Sequence, residues 1–208
     1  KERAIREKSF NFGFFGGEPL ANWKGLVEIT EWCKKYFAPL TFRPSVTTSA
    51  VLIDDEKAKY LADNNFSFIV SIDGPEHLHN RFRKMKGGRG SFSDTMRGLE
   101  TLNKHGINRI TLRSTYLPVE TQVLERVVFL NDLCDQGMAS WVSVEPACLT
   151  ETRCIDNINP EFIFTEENTL ALRDELYSVA DWFISRVKAD KQPRAHVINK
   201  TIERLLYK

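Results

Sequence analysis

"NFGFFGGEPL", Asn11 to Leu20, crowds three aromatic rings into a short run and then sets two glycines, a carboxylate and a proline side by side. The aromatic run reads as a strand. A turn needs one glycine and a helix start needs none, so Gly-Gly-Glu-Pro marks a backbone that something approaches closely. Outward from this stretch one order recurs. "NWKGLVEITEWCKKYF" carries Leu26, Ile29, Cys33 and Tyr36 at helical spacing. "LTFRPSVTT" is extended, partly through Pro44. "DDEKAKYLADNN" is a short helix with acids in its first turn and Asn64-Asn65 suited to a left-handed end. "FSFIVSI" is a strand closing on Asp73-Gly74-Pro75, and "EHLHNRFRKMKGGRG" reads as a long polar loop. Ser91 and Asp94 resemble a capping box for a helix with Phe92, Met96, Leu99 and Leu102 on one face, stopped by Gly106. "NRITLRSTYL" is a strand, "TQVLERVVFLNDLCDQG" a helix and "SWVSVEP" a strand. Thr165 then opens a long helix with Leu172, Leu176, Val179 and Phe183 along one stripe.

Five strand–helix units predict an α/β fold of parallel strands joined by right-handed crossovers. An open doubly wound sheet and a (β/α) barrel both satisfy the pattern. Arg43, Ser71, Arg113, Thr115 and Ser143 interrupt the strands with polar side chains. A sheet buried on both faces tolerates few of these, whereas a barrel lining a ligand cavity accepts them. A partial (β/α) barrel is therefore the expectation.

Composition sets outer limits. A chain of 208 residues is one domain or a piece of something larger, and 29 basic against 28 acidic side chains imply no nucleic-acid partner. No apolar run approaches membrane-spanning length and no signal peptide is present, so no membrane partner is expected. The four cysteines, Cys33, Cys134, Cys148 and Cys154, fit a reduced cytoplasmic setting better than a disulfide framework.

The unusual residues fall together. Gly16 to Pro19, Thr47 to Ser49, Asp73 to Pro75, Thr115, and Glu145-Pro146 all lie at the C-terminal ends of predicted strands. That is the rim on which parallel βα folds carry their active sites.

With "FFGGEPL", "TTSAVLIDDE" and "VSIDGPEHLHNRFRKMKGGRGSF" at three successive strand ends, the chain resembles radical S-adenosylmethionine enzymes. Within them it is similar to the branch with a SPASM or related auxiliary-cluster domain, the sulfatase maturases and peptide maturases. The resemblance runs from about Phe10 to Glu145 and implies S-adenosylmethionine and [4Fe–4S] clusters as cofactors. It implies that Gly16 and Gly17 let the backbone reach the methionine ammonium, that Glu18 and backbone carbonyls accept from it, and that Pro19 fixes the turn. Ser71 and Arg83 would hold the ligand carboxylate, the guanidinium fork matching it bidentately, with Arg81 as competitor. Asp73 would contact the ligand or anchor its loop. His79 would be an acid–base group or only a hydrogen-bonding residue, and Glu145 a peptide contact or a loop carboxylate.

The resemblance further implies reductive cleavage of the sulfonium to a 5′-deoxyadenosyl radical, which takes a hydrogen atom from a peptide or protein substrate, fed by an electron donor protein. The Cys-x-x-x-Cys-x-x-Cys loop of the family does not precede Gly-Gly-Glu-Pro in this chain, and Ser49-Ala50 stands where the family often has Asn-Gly. Cys148 and Cys154 do not match the radical-cluster motif; they read as loop thiols or an outlying pair for an auxiliary cluster. The expectation is a truncated core domain over 1–208, with barrel units over roughly 10–147 and a helical segment over 165–208 leading to a missing auxiliary-cluster domain. Lacking the cluster cysteines, the fragment itself should be inactive. Two rivals stand: a non-catalytic nucleotide- or peptide-binding barrel, and an ordinary (β/α) barrel enzyme on phosphorylated metabolites.

Overall fold

The computed structural model describes residues 8–117, 120, 122–147 and 165–194. Five strands, β1 (Ser9–Phe14), β2 (Thr41–Thr48), β3 (Ser67–Ser71), β4 (Ile110–Tyr116) and β5 (Trp141–Pro146), form one all-parallel sheet in the order β1-β2-β3-β4-β5. Consecutive order with crossovers of one hand places the helices on one side, as in a barrel wall, and not on both sides as in a doubly wound sheet. The crossovers are α1 (Trp23–Tyr36), α2 (Asp55–Asp63), α3 (Glu76–Phe82) with α4 (Phe92–Lys104), and α5 (Val123–Asp135). A final helix, α6 (Glu166–Lys188), packs on α5.

Burial alternates along β2, β3 and β4. Val46, Phe68, Val70, Ile110, Leu112, Val142 and Val144 point into the helix layer and form its core. The opposite face carries Arg43, Ser45, Thr47, Ser71, Arg113, Thr115, Ser143 and Glu145, which are partly or wholly open apart from Ser143. All five polar side chains that argued for a cavity-lining wall thus sit on one face, the concave one.

Several local expectations hold. Asn65 and Gly106 take left-handed conformations after α2 and α4, and Thr165, with Asn168, forms a capping box on α6. Others are corrected. The buried stripe of α1 is Leu26, Thr30 and Cys33, while Ile29 and Tyr36 are exposed. Thr30 can be buried because its hydroxyl donates to the Leu26 carbonyl at 2.8 Å. Similarly, Leu176 on α6 faces solvent, and Val179 and Phe183 supply the buried contact. The "EHLHNRF" stretch is not loop but helix α3, held by burial of Leu78 and His79. Its two buried positions are too few to produce a visible helical period. Ser91 makes no side-chain cap on α4; its hydroxyl is used elsewhere, as described below.

Candidate functional site

The loop after β1 is built around two glycines in the left-handed region, Gly16 at φ +99° and Gly17 at φ +53°. A Cβ placed on either meets no protein atom within 4 Å. The space in front of this turn is therefore open, and the backbone lies bare towards it.

Glu18 turns the other way. Its Oε1 accepts from the Thr48 hydroxyl at 2.7 Å and the Leu20 N–H at 3.3 Å, and its Oε2 from the Ser49 N–H at 2.9 Å and hydroxyl at 2.7 Å. Both oxygens tie the first rim loop to the second. Pro19 begins a short 3-10 turn, Pro19–Asn22, that leads into α1. Beyond Ser49, Ala50 adopts φ +61° and is fully buried, so the second loop makes the left-handed turn without a glycine. Gly98 of α4 makes room for it: a Cβ there would lie 2.0 Å from the Ala50 carbonyl oxygen.

The loop after β3 centres on Asp73. Arg83 grips its carboxylate side-on, Nε to Oδ2 at 2.5 Å and Nη2 to Oδ1 at 3.1 Å, and the Thr115 N–H donates to Oδ1 at 3.1 Å. The Asp73 carbonyl accepts from Arg126, and its N–H donates to His79 Nδ1 at 3.3 Å. Asp73 is thus buried and engaged at every polar atom, as an anchor. Arg83 spends one N–H of Nε and one of Nη2 on this pair, which leaves the end-on edge of its guanidinium for another acceptor. Ser71, half-buried on the concave face, sits in register beside Arg113. Arg81 is drawn instead towards Glu120, 3.5 Å away.

His79 does not reach the rim. It is completely buried, and burial pushes its imidazole down to about 4, against the raising influence of Asp73 and with a further lowering from Arg83. Its ring is shut off from solvent and both nitrogens are engaged, Nδ1 by the Asp73 N–H and Nε2 by Ser91 Oγ. Glu145 lies on the concave face, where Arg113 Nη2 donates to Oε2 at 2.6 Å and the Ser143 hydroxyl to Oε1 at 2.6 Å. Cys148 and Cys154 fall outside the described residues. Cys33 and Cys134 are buried free thiols, Cys134 pushed up to about 11 by burial.

One part of the site escaped sequence reading. Glu120 and Arg126 form a buried ion pair, Oε1 to Nη2 at 3.0 Å, under the Asp73 loop, and Glu120 Oε2 accepts from the Leu117 N–H at 3.1 Å. The only signal was an arginine inside the apolar run "TQVLERVVFL".

Relatives with described activities match part of this chain. The serine-type anaerobic sulfatase-maturating enzyme of Bacteroides thetaiotaomicron is 37% identical over 100 residues, 46% of this chain and 23% of that protein. The cysteine-type anaerobic sulfatase-maturating enzyme of Clostridium perfringens is 35% identical over 99 residues, 47% of this chain and 27% of that protein. The fold matches native anSMEcpe solved with bound AdoMet and the Kp18Cys peptide, at a TM-score of 0.76 and 21% identity, over 95% of this chain and 52% of that one. The chain thus spans about half the length of that structure, and its alignments with the two curated relatives cover about a quarter of their length. No helix among the described residues is long and apolar enough to cross a membrane. The Radical SAM superfamily model matches residues 2–129, more than half the chain and every rim loop from Gly16 to the Asp73 anchor, and the chain accordingly belongs to the radical SAM superfamily.

Proposed function

We propose that the rim formed by the loops after β1, β2 and β3 binds S-adenosylmethionine, and that the protein uses it to modify a peptide or protein substrate by radical chemistry. The observation that carries this is the bare Gly16–Gly17 backbone facing open space on the same rim as the free edge of Arg83. The residues fit that cofactor. The glycine turn accommodates its ammonium, Ser71 and the end-on edge of Arg83 its carboxylate, and the Glu18 clamp keeps the first two loops in register. S-adenosylmethionine supplies the hydrogen-abstracting 5′-deoxyadenosyl group in this chemistry; the chain's own contribution is binding, orientation and exclusion of water.

Among the described residues no three His, Cys, Asp or Glu side chains converge to hold a metal. A [4Fe–4S] cluster does not fit among them. Because the 208-residue sequence carries no Cys-x-x-x-Cys-x-x-Cys motif, residues 1–208 alone are proposed to bind S-adenosylmethionine weakly and not to cleave it. The peptide substrate is supported by the two sulfatase-maturating relatives and by the peptide bound in the structural neighbour. Arg113, Glu145 and Thr115 on the concave face are the groups proposed to meet it. An electron donor protein completes the scheme, and the free thiols of Cys33 and Cys134 fit a reducing, cytoplasmic setting.

The test is anaerobic formation of 5′-deoxyadenosine by the complete gene product, reconstituted with iron and sulfide and given a strong reductant. Time-dependent 5′-deoxyadenosine supports the proposal. An iron-loaded protein that binds S-adenosylmethionine without turnover would point to a non-catalytic binding barrel.

A further inference from the structure

We propose that His79 is a positioning residue for Arg83, holding the guanidinium on the rim from inside the protein as a neutral imidazole. This rests on the reading of Arg83 as the group that receives the ligand carboxylate.

The hydrogen bonds run in one direction. A backbone N–H only donates, so the Asp73 N–H at 3.3 Å makes His79 Nδ1 an acceptor and places the imidazole proton on Nε2. Nε2–H then donates to Ser91 Oγ at 3.0 Å, and the Ser91 hydroxyl donates to the Arg83 carbonyl at 3.0 Å. The Ser91 N–H reaches the same carbonyl at 3.1 Å, and the Arg83 N–H returns to the His79 carbonyl at 3.1 Å. One ring therefore holds the backbone of both members of the Asp73–Arg83 pair, Asp73 directly and Arg83 through Ser91.

The consequence is geometric. Arg83 follows the last turn of α3 with an extended backbone, φ −90° and ψ 92°. Its long side chain would otherwise be free to leave the rim. With its carbonyl fixed by Ser91 and its side-on edge fixed by Asp73, the end-on edge is presented in one orientation. A protonated imidazole would set two N–H groups against each other at Asp73 and break the relay. Burial, which keeps His79 neutral down to about pH 4, protects against this. The groups facing the ring are Asp73, Arg83, Ser91 and the edge-on Phe92 ring at 5.7 Å.

The experiment is equilibrium binding to the complete, iron-loaded gene product of two probes, S-adenosylmethionine and its decarboxylated analogue. Arg83→Lys, His79→Gln and Ser91→Ala are compared with the unmodified protein. Ser91→Ala removes only one hydroxyl and guards against a His79 variant that fails to fold. A residue acting through Arg83 weakens binding only of the probe that carries the carboxylate. The expected result is a loss of about tenfold for S-adenosylmethionine in both His79→Gln and Ser91→Ala, as for other residues that orient a primary contact, with the analogue changed less than about twofold. If Arg83→Lys discriminates between the probes but neither His79→Gln nor Ser91→Ala does, His79 is structural and the proposal falls alone. If Arg83→Lys itself shows no discrimination, the assignment of Arg83 falls and the proposal with it.

Discussion

At the residue scale, His79 and Gly17 behave in opposite ways. Gly17 is exposed, bare and left-handed, and its value lies in what it omits. Gly17→Val in the complete gene product should leave the fold and iron content intact and abolish detectable S-adenosylmethionine binding, because the methyl groups fill the open space and β-branching resists φ +53°. Calorimetry alongside iron analysis checks this; unchanged binding would reduce Gly17 to a turn residue. His79 is enclosed, and its lowered pKa makes a second prediction. Because the unfolded chain takes up this proton near pH 6.5 and the folded chain only near 4, the stabilisation is fully present above about pH 6.5 and is lost as pH falls to 4. The loss attributable to His79 is about 3 kcal/mol, read as the pH-dependent part of the difference in urea stability between the unmodified protein and His79→Gln. A parallel pH dependence of the two would contradict it. The glycine pair was legible because two adjacent glycines before Glu-Pro are more than a turn alone needs. The role of His79 was not, because a histidine in a polar-looking stretch gives no sign that its helix will turn it inward.

At the element scale, close approaches decide where the rim loops sit. Gly98 lets α4 press against the buried left-handed turn at Ala50, and a methyl there would strike backbone. Gly98→Ala should destabilise the protein by about 2 kcal/mol, within the usual range for overpacking, measured by denaturant unfolding. The buried Glu120–Arg126 pair supports the Asp73 loop from below. Arg126→Met leaves the buried Glu120 carboxylate with only the longer contact to Arg81 and should cost about 3 kcal/mol, the low end for breaking a buried pair. Replacing both residues with apolar ones should recover much of that loss, and a double variant no better than the single would argue that the pair is not the cause. The strands were legible as aromatic-rich or extended runs, and most helices from apolar residues at helical spacing and their end residues. Helix α3 and the relay under it were not, since seven residues with two buried positions carry too weak a period, and Ser91 uses its hydroxyl on Arg83 and His79 and not on its own helix.

At the scale of the whole molecule, a singly wound parallel sheet gathers the ends of five strands on one rim and turns its polar face inward. The polar interruptions in the strands announced that face, because side chains such as Arg113 and Glu145 cannot enter a dry helix–sheet interface without partners. The docking of α6 on α5 could not be foreseen in detail. It depends on Asp135, which Arg186 and Arg194 reach at 2.8 Å and 2.9 Å and whose carboxyl Arg186 holds below the usual range; no local pattern links residues so far apart. The central claim is that this rim binds S-adenosylmethionine through the glycine turn and Arg83. A crystal structure of the complete gene product with S-adenosylmethionine tests it most directly. The predicted density places the ligand's ammonium against the Gly16–Gly17 backbone and its carboxylate on Ser71 and the end-on edge of Arg83, with the Asp73–Arg83 pair intact. A ligand bound elsewhere, or one whose carboxylate avoids Arg83, would contradict the account.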